Sequence, residues 1–250
     1  GSGDFAQGRC GSLGEQLEQA KARIRHKTGA EKFIAYFQSY TNTYAPAEYL
    51  EALFAQAIRE PSVAALSIGT RPDCLPGEVV DLLARLNRSK PVWVELGLQT
   101  IHESTARYIR RGYELPVYED ALKRLKAAGL TVIVHVILGL PGESREMMLQ
   151  TVDYLSGDHR PDGIKLQLLH VLEGTDLAED WRAGAFRCME MDEYFDILFE
   201  CLSRLPEDMV IHRLTGDGPK KLLLAPLWTS DKKRVLNALN RELERRDIWQ

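Results

Sequence analysis

The sequence predicts an α/β protein with a parallel sheet covered by helices, in the form of a partial barrel. Three observations carry this. Short β-branched runs alternate with longer helical stretches along the chain, and the strand runs are apolar on both faces, as strands buried between helical layers must be. Five such runs are too few to close an eight-stranded barrel. A Rossmann-like sheet is the rival, but the first strand–helix turn has no G-x-G-x-x-G.

The elements follow in order. Residues 13–27 place Leu13, Leu17, Ala20 and Ile24 on one face, which predicts an amphipathic helix. Residues 32–37 predict a strand. Pro46 suits the first turn of a helix over 46–59. Residues 63–68 predict the second strand, Pro76 opens a helix to about Arg88, and residues 92–96 predict the third strand. Helical segments follow near 102–110 and 117–128, with Gly129 as a C′ stop. Residues 131–137 predict the fourth strand and 143–156 a helix. A fifth strand is expected from Gly163 to His170, then a helix over 191–204, an apolar stretch at 209–212, a loop, and a charged helix over about 231–246. No repeat or low-complexity linker interrupts the chain. One domain over 1–250 is expected, with 205–250 as a C-terminal extension packed on it.

At 250 residues and 44% hydrophobic, the chain can bury a sizeable core. A net charge of -4 gives no global drive toward nucleic acid or an anionic membrane. No apolar run reaches the roughly 18 residues of a membrane span, and no secretory signal is visible, so a cytoplasmic protein is expected. The four cysteines, Cys10, Cys74, Cys188 and Cys201, form no C-x-x-C pair, so no metal site is expected within this chain. A G-x-S-x-G elbow, an H-E-x-x-H motif and a P-loop are all absent from the sequence.

In parallel α/β folds the working residues sit on loops after the C-terminal ends of strands. That rule selects Gln38 to Thr43, Gly69 to Asp73, Glu95 with Gln99, Gly139 to Glu143, and His170. Turn and cap preferences alone also explain Asn, Asp, Thr, Gly and Pro at such places. Glu95 lies inside an apolar strand, where a carboxylate is costly unless a ligand or an internal partner engages it. Arg71 either binds a carboxylate or ties its loop to Asp73. His135, mid-strand, reads as a core histidine, whereas His170, at a strand end, is open to either role. Gly139 and Gly142 make a turn, and they also let backbone approach a flat ring closely.

Six segments in order, Gly1-Ser2-Gly3-Asp4-Phe5-Ala6, Tyr36 to Tyr44, Gly69 to Cys74, Glu95 to Thr100, Gly139 to Glu143, and His212 to Gly218, are similar to a family of bacterial radical S-adenosylmethionine (SAM) proteins. That family resembles the radical SAM domain of the Elongator catalytic subunit. The resemblance implies a partial (β/α)6 barrel of radical SAM type, SAM as cofactor, and a [4Fe–4S] cluster held by cysteine thiolates. It implies a 5′-deoxyadenosyl radical that abstracts hydrogen, tRNA as partner in wobble-uridine modification, and an electron donor such as flavodoxin or ferredoxin.

Carried over residue by residue, the resemblance puts Gln38, Thr41 and Asn42 where relatives contact the methionyl amine. It puts Glu95 and Gln99 beside the ribose, Arg111 within reach of the SAM carboxylate, and Leu140 beside adenine. Arg71, Asp73, His170, Arg213, Thr215 and Asp217 are implied to form the substrate-facing loops. One departure stands out. The family's C-x-x-x-C-x-x-C-like cluster loop and its first strand precede the G-S-G-D-F-A segment, and Cys10 follows it. The expectation is therefore a fragment of a longer protein, with a cluster-free relative as the alternative. Two other functions remain as alternatives: a non-catalytic SAM- or RNA-binding module, and a non-radical acid–base enzyme using Glu95 or His170. Basic clusters at Arg23 to Lys27 and Lys232 to Arg234, with Arg241, Arg245 and Arg246, are either RNA contacts or solvated helix faces.

Overall fold

The structure is a computed structural model, which describes residues 11–38, 40–216 and 218–248. The Gly1–Ala6 segment, Cys10 and Asp217 lie outside the described residues. The elements run α1 (Leu13–Thr28), β1 (Phe33–Phe37), α2 (Ala47–Arg59), β2 (Val63–Thr70), α3 (Gly77–Asn87), β3 (Val92–Gln99), α4 (Glu103–Tyr108), α5 (Leu115–Ala127) and β4 (Thr131–Leu138). They continue with α6 (Arg145–Ser156), β5 (Gly163–Leu168), β6 (Val171–Leu172), α7 (Asp176–Arg182), α8 (Met191–Arg204), β7 (Val210–Arg213), β8 (Leu223–Ala225) and α9 (Lys232–Arg245). The main sheet has six parallel strands in the order β1-β2-β3-β4-β5-β7, and β6 with β8 makes a separate antiparallel pair. No helix among the described residues is long and apolar enough to cross a membrane.

The strand count from sequence is corrected from five to six. The sixth is the apolar stretch around 210, which pairs in parallel with β5 through Gly163↔Val210 and Ile164↔Ile211. It is four residues long and only partly buried, so it has little of the apolar run that marks the other strands. The expected fifth strand also ends at Leu168, before His170. The helix α7 and the β6/β8 pair had no counterpart in the sequence reading.

The chain divides into two compact units, one running to Gly97 and adding Tyr113–Val134, the other made of Leu98–Gly112 and everything from His135 onward. In the first, α2 buries Leu50, Phe54, Ala57 and Ile58, the spacing of one helical face, and packs on β2. Phe54 also meets Phe37 of β1 edge to face, with ring centroids 5.0 Å apart. Each buried Leu, Ile or Phe here stabilises the unit by about 1.5–3 kcal/mol of removed apolar surface. The register sets Tyr36 beside Ser67 and Gly69 beside Glu95. At its start, Ser12 and Glu15 form a capping box on α1.

In the second unit α6 packs on α8, which buries Tyr194, Phe195, Ile197, Leu198, Phe199, Cys201 and Leu202. Val171, Ala178 and Ala225 form a satellite core that joins α7 to the β6/β8 pair. Gly163 is required here: a Cβ would lie 2.7 Å from the His212 ring.

Candidate functional site

In the first unit, the loop after β1 is fixed by its own polar groups. The Asn42 side-chain amide donates to Phe37 O at 3.1 Å and to Gly69 O at 2.8 Å, while its backbone N–H also reaches Gly69 O at 3.2 Å. The Thr43 hydroxyl lies 2.6 Å from that of Thr70 and also bonds Cys74 O. Gln38 is exposed and Thr41 half-buried on this pinned loop. Tyr40 sits at φ +56 and is 80% exposed.

Glu95 is almost fully buried, and its two oxygens are used. Tyr36 donates its hydroxyl to Oε2 at 2.8 Å, and Ser67 donates to Oε1 at 2.5 Å. The internal partners left open by the sequence thus include two hydroxyls. Arg71 grips Asp73 through two bonds of 2.9 and 2.7 Å and lies over the Tyr113 ring. The guanidinium holds the Asp73 carboxyl below the usual carboxylate range and is itself held above its ordinary value.

In the second unit the end of β3 makes an unusual turn. Thr100 N–H bonds Leu98 O at 2.9 Å, closing three residues around Gln99, whose φ is +68. A residue with a Cβ rarely adopts this conformation, and it is strained. Gln99 Oε1 is also the buried side-chain polar atom that finds no hydrogen-bond partner among the described residues. Leaving such an acceptor unmade costs about 1–3 kcal/mol. Arg111 is buried beside this turn. Its Nη1 donates to Thr100 O at 2.7 Å and Leu98 O at 3.5 Å, and its Nη2 donates to Glu103 at 2.9 Å.

On its other side the Thr100 hydroxyl donates to Glu143 Oε1 at 2.5 Å and accepts the His102 backbone N–H at 3.1 Å. Burial pushes the Glu143 carboxyl above its ordinary value, against the Thr100 hydrogen bond. Leu140 is buried in the adjoining loop, where Gly139 and Gly142 both have positive φ. A Cβ on Gly142 would meet nothing within 4 Å, so this backbone is open to close approach.

His170 has a different setting. Its Nε2 lies 3.1 Å from Thr229 Oγ1, and its ring fills the space that a Cβ on Gly216 would need. The loop carrying Thr215 thus closes against the ring, and Tyr194 donates to Leu214 O at 2.8 Å. Arg213 ends β7 opposite Lys165. His135, half-buried on β4, lies 3.3 Å from the Gln167 amide.

The structure thus gathers Gln38, Thr41 and Asn42 on one loop, and sets the Arg111 side chain against the turn that carries Gln99. His170, Thr215 and Arg213 belong to the segment that folds around the His170 ring. Thr100, which holds the Gln99 turn, was not singled out from sequence. A positive φ at a glutamine leaves no mark in composition or spacing.

Of the two cofactors the resemblance implies, SAM fits what is present. An orphaned buried carbonyl oxygen awaits a donor such as a ribose hydroxyl, next to a glycine-lined apolar loop. Among the described residues no group of three His, Cys, Asp or Glu side chains could hold a metal ion.

These features, a parallel sheet and polar groups on the loops at its strand ends, are those of a partial parallel α/β barrel. Residues 9–155 match the radical SAM superfamily and residues 161–245 match the radical SAM C-terminal domain. The chain belongs to the radical SAM superfamily. It is 43% identical to YtqA of Bacillus subtilis over all of its own length and 77% of that protein. It is 30% identical to the tRNA uridine(34) acetyltransferase of Methanocaldococcus jannaschii, over 68% of this chain and 32% of that protein. The solved archaeal Elp3 of Methanocaldococcus infernus superposes with a TM-score of 0.76 at 22% identity, over 96% of this chain and 62% of that one. That likeness shows the fold.

Proposed function

We propose that this chain is the SAM-binding core of a radical SAM enzyme that modifies tRNA at a uridine. One observation carries the SAM reading: the orphaned Gln99 oxygen, held out by a strained turn at the end of a barrel strand. Strain of this kind persists where surroundings over-determine it, and such places concentrate at binding sites. Gln99 is assigned a ribose hydroxyl and the Leu140 loop the adenine. Arg111, which donates to Leu98 O, Thr100 O and Glu103, is assigned a place beside the SAM carboxylate. In the first unit, Gln38, Thr41 and Asn42 are assigned the methionyl amine. Glu95, with both oxygens bonded, serves there by orienting Tyr36 and Ser67.

A [4Fe–4S] cluster, which the resemblance places on an upstream cysteine loop, would supply the electron for SAM cleavage, drawn from a donor such as flavodoxin or ferredoxin. The substrate class is supported by the similarity to the M. jannaschii tRNA uridine(34) acetyltransferase. The residues proposed to face it are Arg71, Asp73, His170, Arg213, Thr215 and Asp217.

Two measurements test the reading. Calorimetry of this chain with SAM should show binding without formation of 5′-deoxyadenosine. The protein carrying the cysteine loop that the resemblance places upstream, reconstituted with iron and sulfide and reduced, should release 5′-deoxyadenosine. A chain that binds no SAM, or a reconstituted protein that stays colourless and leaves SAM intact, defeats it. Filter binding of tRNA over a salt series should give a sloped dependence if phosphates are contacted.

A further inference from the structure

We infer that Glu143 is a positioning residue for Gln99: acting through Thr100, its carboxylate holds the turn that presents the Gln99 side-chain oxygen to a nucleoside. The inference rests on the SAM reading above and goes beyond it by naming what keeps the strained turn in place.

The turn Leu98–Gln99–Thr100 does not hold itself. Its one internal bond, Thr100 N–H to Leu98 O, spans three residues, and a glutamine at φ +68 relaxes to negative φ unless prevented. Two groups outside the turn prevent it. Arg111 fixes the carbonyls on either side of Gln99. Glu143 fixes the side chain of the residue that follows.

The Thr100 hydroxyl has one proton. Because Glu143 accepts it, the hydroxyl oxygen is left to accept the His102 N–H, the residue from which α4 begins. His102 is anchored in turn by its ring, with Nε2 2.8 Å from Met147 O on α6. Thr100 is 0% exposed, so water cannot replace Glu143 as the acceptor. Through the Thr100 hydroxyl Glu143 is tied to the segment from which α4 begins. Its effect on a ligand passes through the turn.

The test is calorimetry on the folded chain with SAM and, separately, with 5′-methylthioadenosine, which keeps the nucleoside and lacks the amino-acid end. Glu143→Ala is expected to weaken both ligands about ten-fold, the scale of one hydrogen bond, and Gln99→Ala to do the same. The double variant should bind no more weakly than Gln99→Ala alone, because the two act as one unit. Glu143→Gln, whose side-chain oxygen still accepts from Thr100, should stay within about two-fold of the parent.

Should Glu143→Ala fail to fold, Thr100→Val removes the same link while keeping the volume. It should show the same ten-fold loss and the same coupling to Gln99. Parent-like binding by Glu143→Ala or Thr100→Val overturns the inference, as does a roughly hundred-fold loss in the double variant or a loss confined to SAM. If the parent chain binds neither ligand, the SAM reading fails and takes this inference with it. If the parent binds and the Glu143 variant matches it, the inference fails alone.

Discussion

Glu95 and Gln99 lie four residues apart on β3, in the same phase of its alternation, and both are polar groups in an otherwise apolar strand. Their environments are opposite. Glu95 has a hydroxyl on each oxygen, from Tyr36 and Ser67, so the strand pays its desolvation internally. Gln99 has a buried oxygen with no donor and a backbone held in a strained turn. A buried charge in a sequence invites the assignment of a ligand contact. Bonding shows that the neutral amide, not the carboxylate, is the group with unmet demand.

The largest effect expected on this contrast comes from Arg111→Met. The substitution keeps the bulk of the stem but removes the donor to Leu98 O and Thr100 O, while Glu103, its side chain 35% exposed, can turn to water. Leaving two carbonyls beside a buried turn without their donor costs about 1–3 kcal/mol each. Chemical denaturation should show a loss of that size with an unchanged m-value. A loss under about 1 kcal/mol would mean that the carbonyls beside Gln99 do not depend on Arg111.

Glu95→Leu comes next. Ser67 is buried and would lose its acceptor, while Tyr36 is 37% exposed and can turn to water. One stranded hydroxyl and one lost charged hydrogen bond predict about 2–3 kcal/mol of destabilisation. Ser67→Ala in the same background should recover part of it, because the orphan is then gone. If Glu95→Leu is neutral, Glu95 is not the satisfied structural group that the contrast requires.

Gln99→Gly should act in the opposite sense. Glycine takes positive φ without penalty and removes the orphan oxygen, so the melting temperature should rise, by an amount equivalent to about 1 kcal/mol. Binding of SAM should fall in the same variant. A gain in stability bought by a loss of ligand would mark the turn as strain kept for function. A variant that melts lower than the parent would show that Gln99 is held by contacts that stabilise it.

Much of this fold is legible in the sequence. The strand at 131–138 and the helix at 191–204 have long apolar runs or strong periodicity, and both appear as expected. Gly129 stops α5 at φ +72 for the reason its position suggested. The short elements are illegible for one physical cause. β7 and the β6/β8 pair are two to four residues long, so their pairing is decided by partners far away in the chain. At the candidate site, the strand-end rule selects Gln99, and the resemblance adds Arg111. Neither reveals that Arg111 is occupied by two backbone carbonyls, or that His170 fits into space left by Gly216. These facts are properties of backbone geometry, which the identity of a side chain does not encode.

The smallest effect sharpens the contrast through proton linkage. Burial raises the Glu143 carboxyl above its ordinary value of 4.5, and hydrogen bonds from Thr100 and Thr105 only partly oppose this. A carboxyl raised in the folded state binds its proton more tightly there than in the unfolded chain. Its contribution to stability is therefore fully present below about pH 4.5 and is lost as pH rises through the folded-state value. Glu143→Gln removes this term while keeping the acceptor for Thr100. The stability of the parent minus that of Glu143→Gln should thus decline as pH rises from 4 toward neutrality, then level off. His102, whose positive charge would favour the ionised carboxylate, works against the shift, so the decline should be steeper in His102→Gln. A difference that instead grows with pH would mean that Glu143 is ionised more easily in the folded chain than in the unfolded one. In that case the carboxylate, like Glu95, would be fully compensated by its neighbours.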